Sequence, residues 1–391
     1  MRAPRAAPPS APSPLATLLV MQFAFGVAFS TFLMLPKILA TRLGAGPGGI
    51  GVVNAMFSLA GVAAVPFIGA RVDRPGRPRL MARGSLLMAV GTLGFVAVDH
   101  VGLLAVVLRA AQGVAYTVVF VAGAAFAADL SPPARMGRTM GLFGSANLVT
   151  NAIAPAIAEP LLDHVGAGAV YALAAATSLI SFALARRLVE PVRLPSGEGA
   201  TLSAVLRRGR ALRIVAVLGL TGIALGTVFS FNQPMALALG VNRLRDFFIA
   251  YTVAVLFVRF GLGNLVDRVG PQRATVGALV LYSFVVFSMR FLGSSVFFGL
   301  APLGLAFGVA HGFFFPASMS LSVADLPPAE RGRMLALANG AFIGGMALVM
   351  PLGVLAARAG YPVVFTLAAA GTLGAAALLA RWPIAGPRAL P

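Results

Sequence analysis

Apolar runs of about 20 residues recur along the whole chain, with only short polar stretches between them. A helix that crosses ~30 Å of hydrocarbon at 1.5 Å per residue needs about 20 apolar residues, so the runs predict an all-α membrane protein. We predict twelve transmembrane helices, at residues 14–37, 48–70, 79–98, 101–127, 138–162, 166–186, 211–235, 245–266, 273–292, 295–321, 333–356 and 361–381. The first run is longer than the apolar core of a signal peptide, which favours a membrane span after a tail of residues 1–13.

The small number of charged residues excludes a soluble protein. Charged residues make up 10% of the chain, whereas a soluble domain carries roughly 25% to cover its wet surface. Most basic residues are Arg in short clusters between apolar runs, which is typical of cytoplasmic loops and differs from the basic face of a nucleic-acid-binding protein. The chain has no Cys, and its three His are far apart, so we expect no nucleic acid partner, no metal site and no cofactor.

The distribution of the basic residues predicts the orientation in the membrane. If the N-terminus is cytoplasmic, 22 of the 30 basic residues lie on the inside, and Arg109 and Arg259 lie within spans. The residues that fall on the outside are Lys37, Arg42, Arg243, Arg245, Arg290 and Arg358. This bias predicts that both termini are cytoplasmic. The preference for Arg over Lys and the many Ala residues favour a bacterial genome of high GC content, so we expect a multi-pass protein of the cytoplasmic (inner) membrane.

Two loop sequences occur twice at a constant offset, which indicates a duplicated architecture. Residues 69–79 read GARVDRPGRPR and residues 263–273 read GNLVDRVGPQR, so that Gly, Asp, Arg, Gly and Arg match at an offset of 194 residues. Residues 129–138 (DLSPPARMGR) and 325–333 (DLPPAERGR) repeat at nearly the same offset. We therefore predict two parallel six-helix bundles, at residues 1–186 and 211–391, joined by a cytoplasmic linker at residues 187–210.

The Gly-x-x-x-Asp-Arg-x-Gly-x-x-Arg loop, present twice, resembles the signature of the major facilitator superfamily. The resemblance covers essentially the whole chain and implies a secondary transporter, with a substrate site near mid-membrane between two halves that rock to open alternately on each side. In that family the loop resembles a latch that pairs with charges of the neighbouring half. The residues that the resemblance places in this latch are Gly69, Asp73, Arg74, Gly76, Arg77, Asp129, Gly263, Asp267 and Arg268. The alternative is that the Arg clusters only fix the topology.

Span four carries an Arg well inside the membrane. A charge at the depth of Arg109 is costly unless it is paired or lies in a wet cavity, which makes it a candidate functional residue. Gln112 and Tyr116 follow at i+3 and i+7 and share its helix face. The Arg-x-x-Gln-Gly pattern resembles that of the proton-coupled drug and metabolite exporters of the superfamily. The alternative is a structural Arg held by carbonyl groups and amides.

Span five combines a polar stripe with a carboxylate. Asn147, Asn151 and Glu159 fall on one face, and Ala154-Pro155-Ala156 stands where the exporter signature usually has a Gly-Pro pair, so the match is partial. Glu159 is expected near the outer end, where it pairs with Arg109 and exchanges protons with the outer medium. The alternative is an interfacial carboxylate in ordinary water.

Candidates in the second half are fewer. Asn232 and Gln233, before the Pro in span seven, offer amides to a substrate. His311 in span ten is the intramembrane His, whose charge changes near neutral pH, and the alternative is a neutral His bound to a neighbouring helix. Arg259 faces either the cavity or the loop latch.

These features lead to one preferred function and one alternative. We expect a monomeric secondary transporter that exports a small apolar or amphiphilic molecule, coupled to protons; the alternative is uptake of an organic anion or metabolite, or lipid movement between leaflets. The sequence has no Walker A pattern and no catalytic set within the spans, which argues against an ATP-driven pump or an enzyme. It leaves the substrate and the direction of transport open.

Overall fold

The regular elements of the described chain are all helical. The computed structural model describes residues 13–72, 76–132, 135–190, 209–324 and 326–382. The helices of the first half are α1 (Pro14–Arg42), α2 (Pro47–Val72), α3 (Arg77–Ala97), α4 (Leu103–Asp129), α5 (Arg138–His164) and α6 (Ala167–Ala185). Those of the second half are α7 (Gly209–Ala238), α8 (Arg245–Gly261), α9 (Pro271–Phe291), α10 (Leu300–Val323), α11 (Glu330–Ala359) and α12 (Tyr361–Arg381).

The predicted spans agree with these helices. Eleven of the described helices are long and apolar enough to cross a membrane. The remaining span, α8, is 17 residues long and ends at Gly261; after Leu262, a helix of 7 residues continues over Gly263–Val269. Three boundaries differ by five residues: α8 ends at Gly261 and not at 266, α10 begins at Leu300 and not at 295, and α1 passes residue 37. The last of these is informative, because α1 turns through a short 3-10 segment at Phe32–Met34 and continues to Arg42.

The second glycine of each signature loop occupies a backbone conformation that favours glycine. Gly76 has a φ of 113° and Gly270 a φ of 88°, and each directly precedes the first residue of the next helix. Side chains are strained at such angles, whereas glycine adopts them freely. The repeated Gly of the loop is therefore explained by the sharp turn from α2 into α3, and from the end of α8 into α9.

The duplication extends to a helix contact that the sequence did not reveal. Gly113 of α4 packs so closely on α2 that a Cβ there would lie 2.0 Å from the carbonyl oxygen of Phe57. Gly308 of α10 packs in the same way on α8, with the carbonyl oxygen of Tyr251 at 2.3 Å from such a Cβ. The two glycines lie 195 residues apart and their partners 194. Small residues allow such close crossings of helices in membranes.

Helix contacts concentrate within α1–α6 and within α7–α12, and a smaller set joins the two groups. The joining pairs include α2 with α11, α5 with α8, α1 with α7, and α2 with α7. They meet largely at the end of the bundle that holds the α1–α2, α5–α6 and α7–α8 connections, which we call the opposite end. The end that holds the two signature loops, residues 69–79 and 263–273, is called the signature end. The division into two bundles remains an interpretation of these contacts and of the repeat.

Candidate functional site

A cavity of about 60 Å³ lies between the two groups of helices. Its walls are mostly apolar and aromatic, and the one ionisable residue among them is Arg109. The residues that line it are Phe29, Phe32, Leu33, Pro36, Asn54, Phe57, Ser58, Arg109, Gly226, Phe229, Ser230, Met346 and Val349. They come from α1, α2 and α4 on one side and from α7 and α11 on the other, so the cavity belongs to the interface between the halves.

Arg109 enters this cavity from α4, six residues after the start of that helix. Arg109 as a whole is 8% exposed, and Nη1 donates a hydrogen bond of 2.7 Å to Oε1 of Gln112. The amide nitrogen of Gln112 in turn donates to the carbonyl oxygen of Gly91, at 3.4 Å. The guanidinium also lies over the ring of Phe57, 4.5 Å from its centroid, a typical cation–π contact. Gln112 therefore orients Arg109, as their spacing on the helix allows.

Tyr116, one turn further along α4, belongs to an aromatic cluster beside the cavity. Its ring lies 4.5 Å from that of Phe29 and 5.6 Å from that of Phe57, measured between centroids. Phe120 stacks on its other side at 5.6 Å. Phe29 and Phe57 line the cavity themselves, so Tyr116 supports two of its walls.

The carboxylate of Glu159 closes the opposite end of the interface. Lys37 of α1 places its ammonium 3.0 Å from Oε1. From the other half, the backbone N–H groups of Leu244 and Arg245 donate to Oε1 and Oε2, both at 2.9 Å. These two amides open α8, and a carboxylate at a helix N-terminus is favoured by the unpaired N–H groups and the helix dipole. Glu159 is 1% exposed and joins three helices.

This arrangement corrects two expectations about charge. Glu159 was expected to pair with Arg109 or to lie in ordinary water, but it is buried and pairs with Lys37. Lys37 was assigned to an outer loop, but it lies within α1 and is 5% exposed, because the buried carboxylate and Asp163, at 2.8 Å, balance its charge. Sequence reasoning therefore missed Lys37 as a site residue. One signal was available, since it is the only Lys among thirty basic residues.

The two amides predicted in α7 have different surroundings. Gln233 joins the halves at the closed end: its Oε1 accepts from the backbone N–H of Lys37 at 3.3 Å, and its amide donates to the carbonyl oxygen of Leu33 at 2.6 Å. Asn232 is 1% exposed, and neither of its amide atoms has a hydrogen-bond partner. Gln233 thus seals the interface, and Asn232 is the buried polar group left available.

Close backbone packing completes the closure. α2 and α11 cross at Gly51 and Gly353, where a Cβ on Gly353 would lie 2.6 Å from the carbonyl oxygen of Pro47. Further along the same interface, the amide of Asn54 donates to the hydroxyl of Ser230 at 3.0 Å. The opposite end is therefore shut by an ion pair, an amide bridge and a glycine crossing at once.

The cavity lies between two sets of six spans and is shut at one end. The resemblance of the repeated loop implied an arrangement of this kind. The profile of the Major Facilitator Superfamily matches residues 17–298 and 235–390. The chain belongs to the Major Facilitator Superfamily. It is accordingly a multi-pass membrane transporter, and the expected resemblance is confirmed.

Relatives of this superfamily member include proteins named for drug resistance. "Multidrug resistance protein MdtG" of Salmonella choleraesuis (strain SC-B67) is 25% identical to it over 366 residues. The protein of the same name from Salmonella dublin is 26% identical over 367 residues. Each comparison covers 89% of this chain and 89% of the relative.

Solved structures of the superfamily share the fold of this chain. An auto-inhibited POT family peptide transporter superposes with a TM-score of 0.78 at 12% identity, covering 96% of this chain and 98% of the other. The nucleoside transporter NupG gives 0.76 at 13% identity and coverage of 96% and 100%. The human organic anion transporter MFSD10 gives 0.66 at 17% identity, with coverage of 94% and 100%. At these identities the likeness concerns the fold alone.

The superfamily's loop is anchored in this transporter by Arg77. Its guanidinium donates to the carbonyl oxygens of Val72 and Ala125, at 3.0 and 3.1 Å, and contacts the carboxylate of Asp129. The backbone N–H of Gly76 donates to Glu190, just after α6. These contacts lie within the first half and hold the turn between α2 and α3 against α4.

For the remaining residues of the predicted latch, the structure gives few contacts or none within its described part. Asp73 and Arg74 lie outside the described residues, as does the side chain of Asp267. Gly69 is half-buried with open space around its Cα, and Gly263 and Arg268 are exposed. The pairing of the loop with the neighbouring half stays a prediction.

The polar stripe of α5 serves helix packing in its first part. Asn147 accepts a hydrogen bond from Gln22 at 3.2 Å, and Asn151 accepts one from Ser30 at 2.7 Å. Ser30 also contacts the hydroxyl of Thr150 at 2.9 Å. These contacts tie α5 to α1 within one half, and the role of the two Asn residues in coupling or substrate binding stays a prediction.

His311 and Arg259 lie in an aromatic region of the second half and are not among the residues that line the cavity. The ring of His311 is 5.9 Å from that of Tyr251 and 6.2 Å from that of Tyr282, between centroids, and Phe315 stacks on it at 5.9 Å. Its Nδ1 and the Nε of Arg259 are buried without a hydrogen-bond partner. A proton-carrying role for His311 stays a prediction.

Proposed function

We propose that this transporter exports small apolar or amphiphilic molecules in exchange for protons. The signature end faces the cytoplasm, as the basic residues predict, and both termini lie on that side. The opposite end, closed in this structure, then faces the outside. The chain acts as a monomer in the cytoplasmic membrane of a bacterium.

The proposal depends above all on the buried carboxylate of Glu159, which bridges the two halves at the closed outer end. A carboxylate can accept a proton, and its charge here is compensated by Lys37 and two backbone amides. Protonation therefore alters the contacts that hold the outer end shut.

The exchange of protons follows from the cost of burying a charge. When the outer end is open, Glu159 lies in the outer medium, and a proton that binds there lets it enter the closing interface without desolvation of a charge. Loss of that proton toward the cavity creates the ion pair with Lys37. The charged, closed state then resists reopening until a substrate occupies the cavity.

The walls of the cavity support the choice of substrate. Phe29, Phe32, Phe57 and Phe229 offer apolar and aromatic surface, while polar groups are few. Pockets of this kind bind largely apolar ligands, with a few polar groups fixing orientation. The drug-resistance names of the relatives fit export of such compounds. The alternative function, uptake of an organic anion or movement of lipid, uses the same fold.

Transport in proteoliposomes tests the proposal. Liposomes with an acidic lumen are offered a panel of fluorescent neutral, anionic and cationic amphiphiles, and protein-free liposomes give the passive uptake. A proton exchanger accumulates a compound in the acidic lumen, and Glu159→Gln abolishes accumulation while downhill exchange remains. Accumulation in an alkaline lumen would indicate co-transport, and equal accumulation by Glu159→Gln would exclude this residue as the carrier.

Asp99 provides a matched control. It lies in the α3–α4 loop at the same end, and the hydrogen bond from His100 holds the pKa of its exposed carboxyl below the ordinary value. Its carboxylate is ionised at neutral pH but takes no part in the contacts between Glu159, Lys37 and the start of α8. Asp99→Asn is expected to transport like the wild type.

A further inference from the structure

We propose that the cavity binds amphiphilic organic anions, with an anionic oxygen group held by Arg109 and an apolar body held by the aromatic walls. The inference rests on the proposed function in one respect, that this cavity receives the substrate. It goes further by naming the chemical class and the residue that recognises it.

The charge of Arg109 has no counterpart in the described part of the chain. Its one hydrogen-bond acceptor there is the neutral amide of Gln112, and no carboxylate lies within ion-pair distance of it. Arg109 as a whole is 8% exposed. Burying a charge is unfavourable unless it is paired. An anion that enters the cavity therefore supplies the counter-charge that Arg109 lacks.

The hydrogen bonds of the guanidinium are also incomplete. A guanidinium has five N–H donors in a planar fork that matches a carboxylate or a phosphate. Among the described residues, only Nη1 of Arg109 has an acceptor, and Nε is buried without a partner. A ligand with two anionic oxygens supplies the acceptors that this fork requires.

The other buried cation of the interface is already satisfied. Lys37 is held by the carboxylates of Glu159 and Asp163, at 3.0 and 2.8 Å. An anionic ligand therefore gains little at Lys37, whereas at Arg109 it meets an uncompensated charge that lines the cavity. The two cations have separate tasks, closure for one and recognition for the other.

The walls around Arg109 select the rest of the ligand. Phe57 lies 4.5 Å from the guanidinium and Phe32 5.9 Å, and Phe229 faces them from α7. Stacked and edge contacts between aromatic rings are favourable, so an aryl or alkyl body is favoured beside the anionic group, and the cavity of about 60 Å³ must widen to admit it. A cationic amphiphile of equal size meets the repulsion of Arg109 instead.

Calorimetric titration of the full-length protein in detergent at neutral pH tests the inference. The probes are 4-phenylbutyrate, 4-phenylbutyramide and 4-phenylbutylamine, which share one body and differ in charge. We expect 4-phenylbutyrate to bind at least tenfold more tightly than the amide, the amount that a charge-assisted hydrogen bond provides, and the amine to bind most weakly. Arg109→Gln should reduce the affinity for 4-phenylbutyrate to that for the amide, and Arg109→Lys should retain part of the preference.

Two controls keep the outcome interpretable. Arg42→Gln removes an exposed Arg that does not line the cavity and should leave the tenfold preference intact, and the melting temperature of each variant shows whether it is folded. Equal affinities for the acid and the amide in wild type, absence of acid binding, or a preference that persists in folded Arg109→Gln would overturn the inference. Anion binding without pH-driven flux would contradict the proposed function and leave the anion site standing. Flux restricted to neutral or cationic compounds would contradict the anion site and leave the proposed function standing.

Discussion

The ammonium of Lys37 lies 3.0 Å from the carboxylate of Glu159 in the membrane-buried interface, although 122 residues separate them in the chain. Neither is more than 5% exposed. An ion pair buried in this way contributes modestly as a whole, but removing one member leaves an isolated charge and costs about 3–5 kcal/mol. The pair therefore favours closure when both charges are present, and loss of Lys37 alone leaves the buried Glu159 as an isolated charge.

Lys37→Met should accordingly open the outer end. Glu159 then remains charged without its cation, and exposure to water relieves it. Because the chain has no Cys, Ser230→Cys in the cavity wall can report opening through its reaction with an impermeant maleimide added outside cells. We expect labelling to become at least tenfold faster.

The matched control is Arg42→Met, which removes an exposed cation from the same helix and should leave labelling unchanged. Lys37→Met combined with Glu159→Gln removes both charges and should restore much of the protection. Unchanged labelling in Lys37→Met would show that the pair does not hold the closure.

Gly353→Ala should prevent α2 and α11 from meeting. The new Cβ would lie 2.6 Å from the carbonyl oxygen of Pro47, a backbone atom that cannot turn aside. Labelling at Ser230→Cys should rise and transport should slow. Gly344→Ala on the same helix, where a Cβ has open space within 4 Å, should behave like the wild type. Equal behaviour of the two variants would exclude the crossing as a seal.

Gly113→Ala and Gly308→Ala should both destabilise the protein. The new Cβ would lie 2.0 Å from a backbone carbonyl oxygen in the first variant and 2.3 Å in the second, which forces the helix pair apart. Overpacking of this kind costs about 1–3 kcal/mol. The melting temperature in detergent measures it, with Gly277→Ala in α9, where a Cβ meets nothing within 4 Å, as the control. A melting temperature equal to that of the control in either variant would contradict the proposed role of the crossing in that half.

Arg77→Gln should loosen the turn between α2 and α3. It removes the contact with Asp129 and the hydrogen bonds to Val72 and Ala125, which together hold the turn on α4. We expect a lower melting temperature and slower transport. Arg79→Gln, an exposed cation two residues later, tests whether loss of positive charge alone has these effects. Similar losses in both variants would favour a purely topological role.

The spans and the duplication could be predicted because they are local properties of the sequence. A run of about 20 apolar residues indicates a membrane helix by itself, and the repeated loops lie at a constant offset. The contact between Arg109 and Gln112 was within reach for the same reason, since residues three apart share a helix face.

The partner of Glu159 could not be predicted, because it depends on how distant helices meet. Lys37 was read as a loop residue since the apolar run ends there, and only the pairing across α1 and α5 explains why the helix continues. The contact of Asn147 with Gln22 was out of reach for the same reason, because a polar face of a helix does not tell which helix lies opposite.

The second half binds the carboxylate of Glu159 through hydrogen bonds from the main-chain amides at positions 244 and 245, and not through side chains. Any amino acid except proline supplies such a donor. Mutation can therefore replace the residues at both positions without abolishing the contact, and the acidic residue needs no coevolving partner in that half. Statistical searches for paired substitutions would pass over this connection, and substitution of proline at position 245 is the change that would expose it.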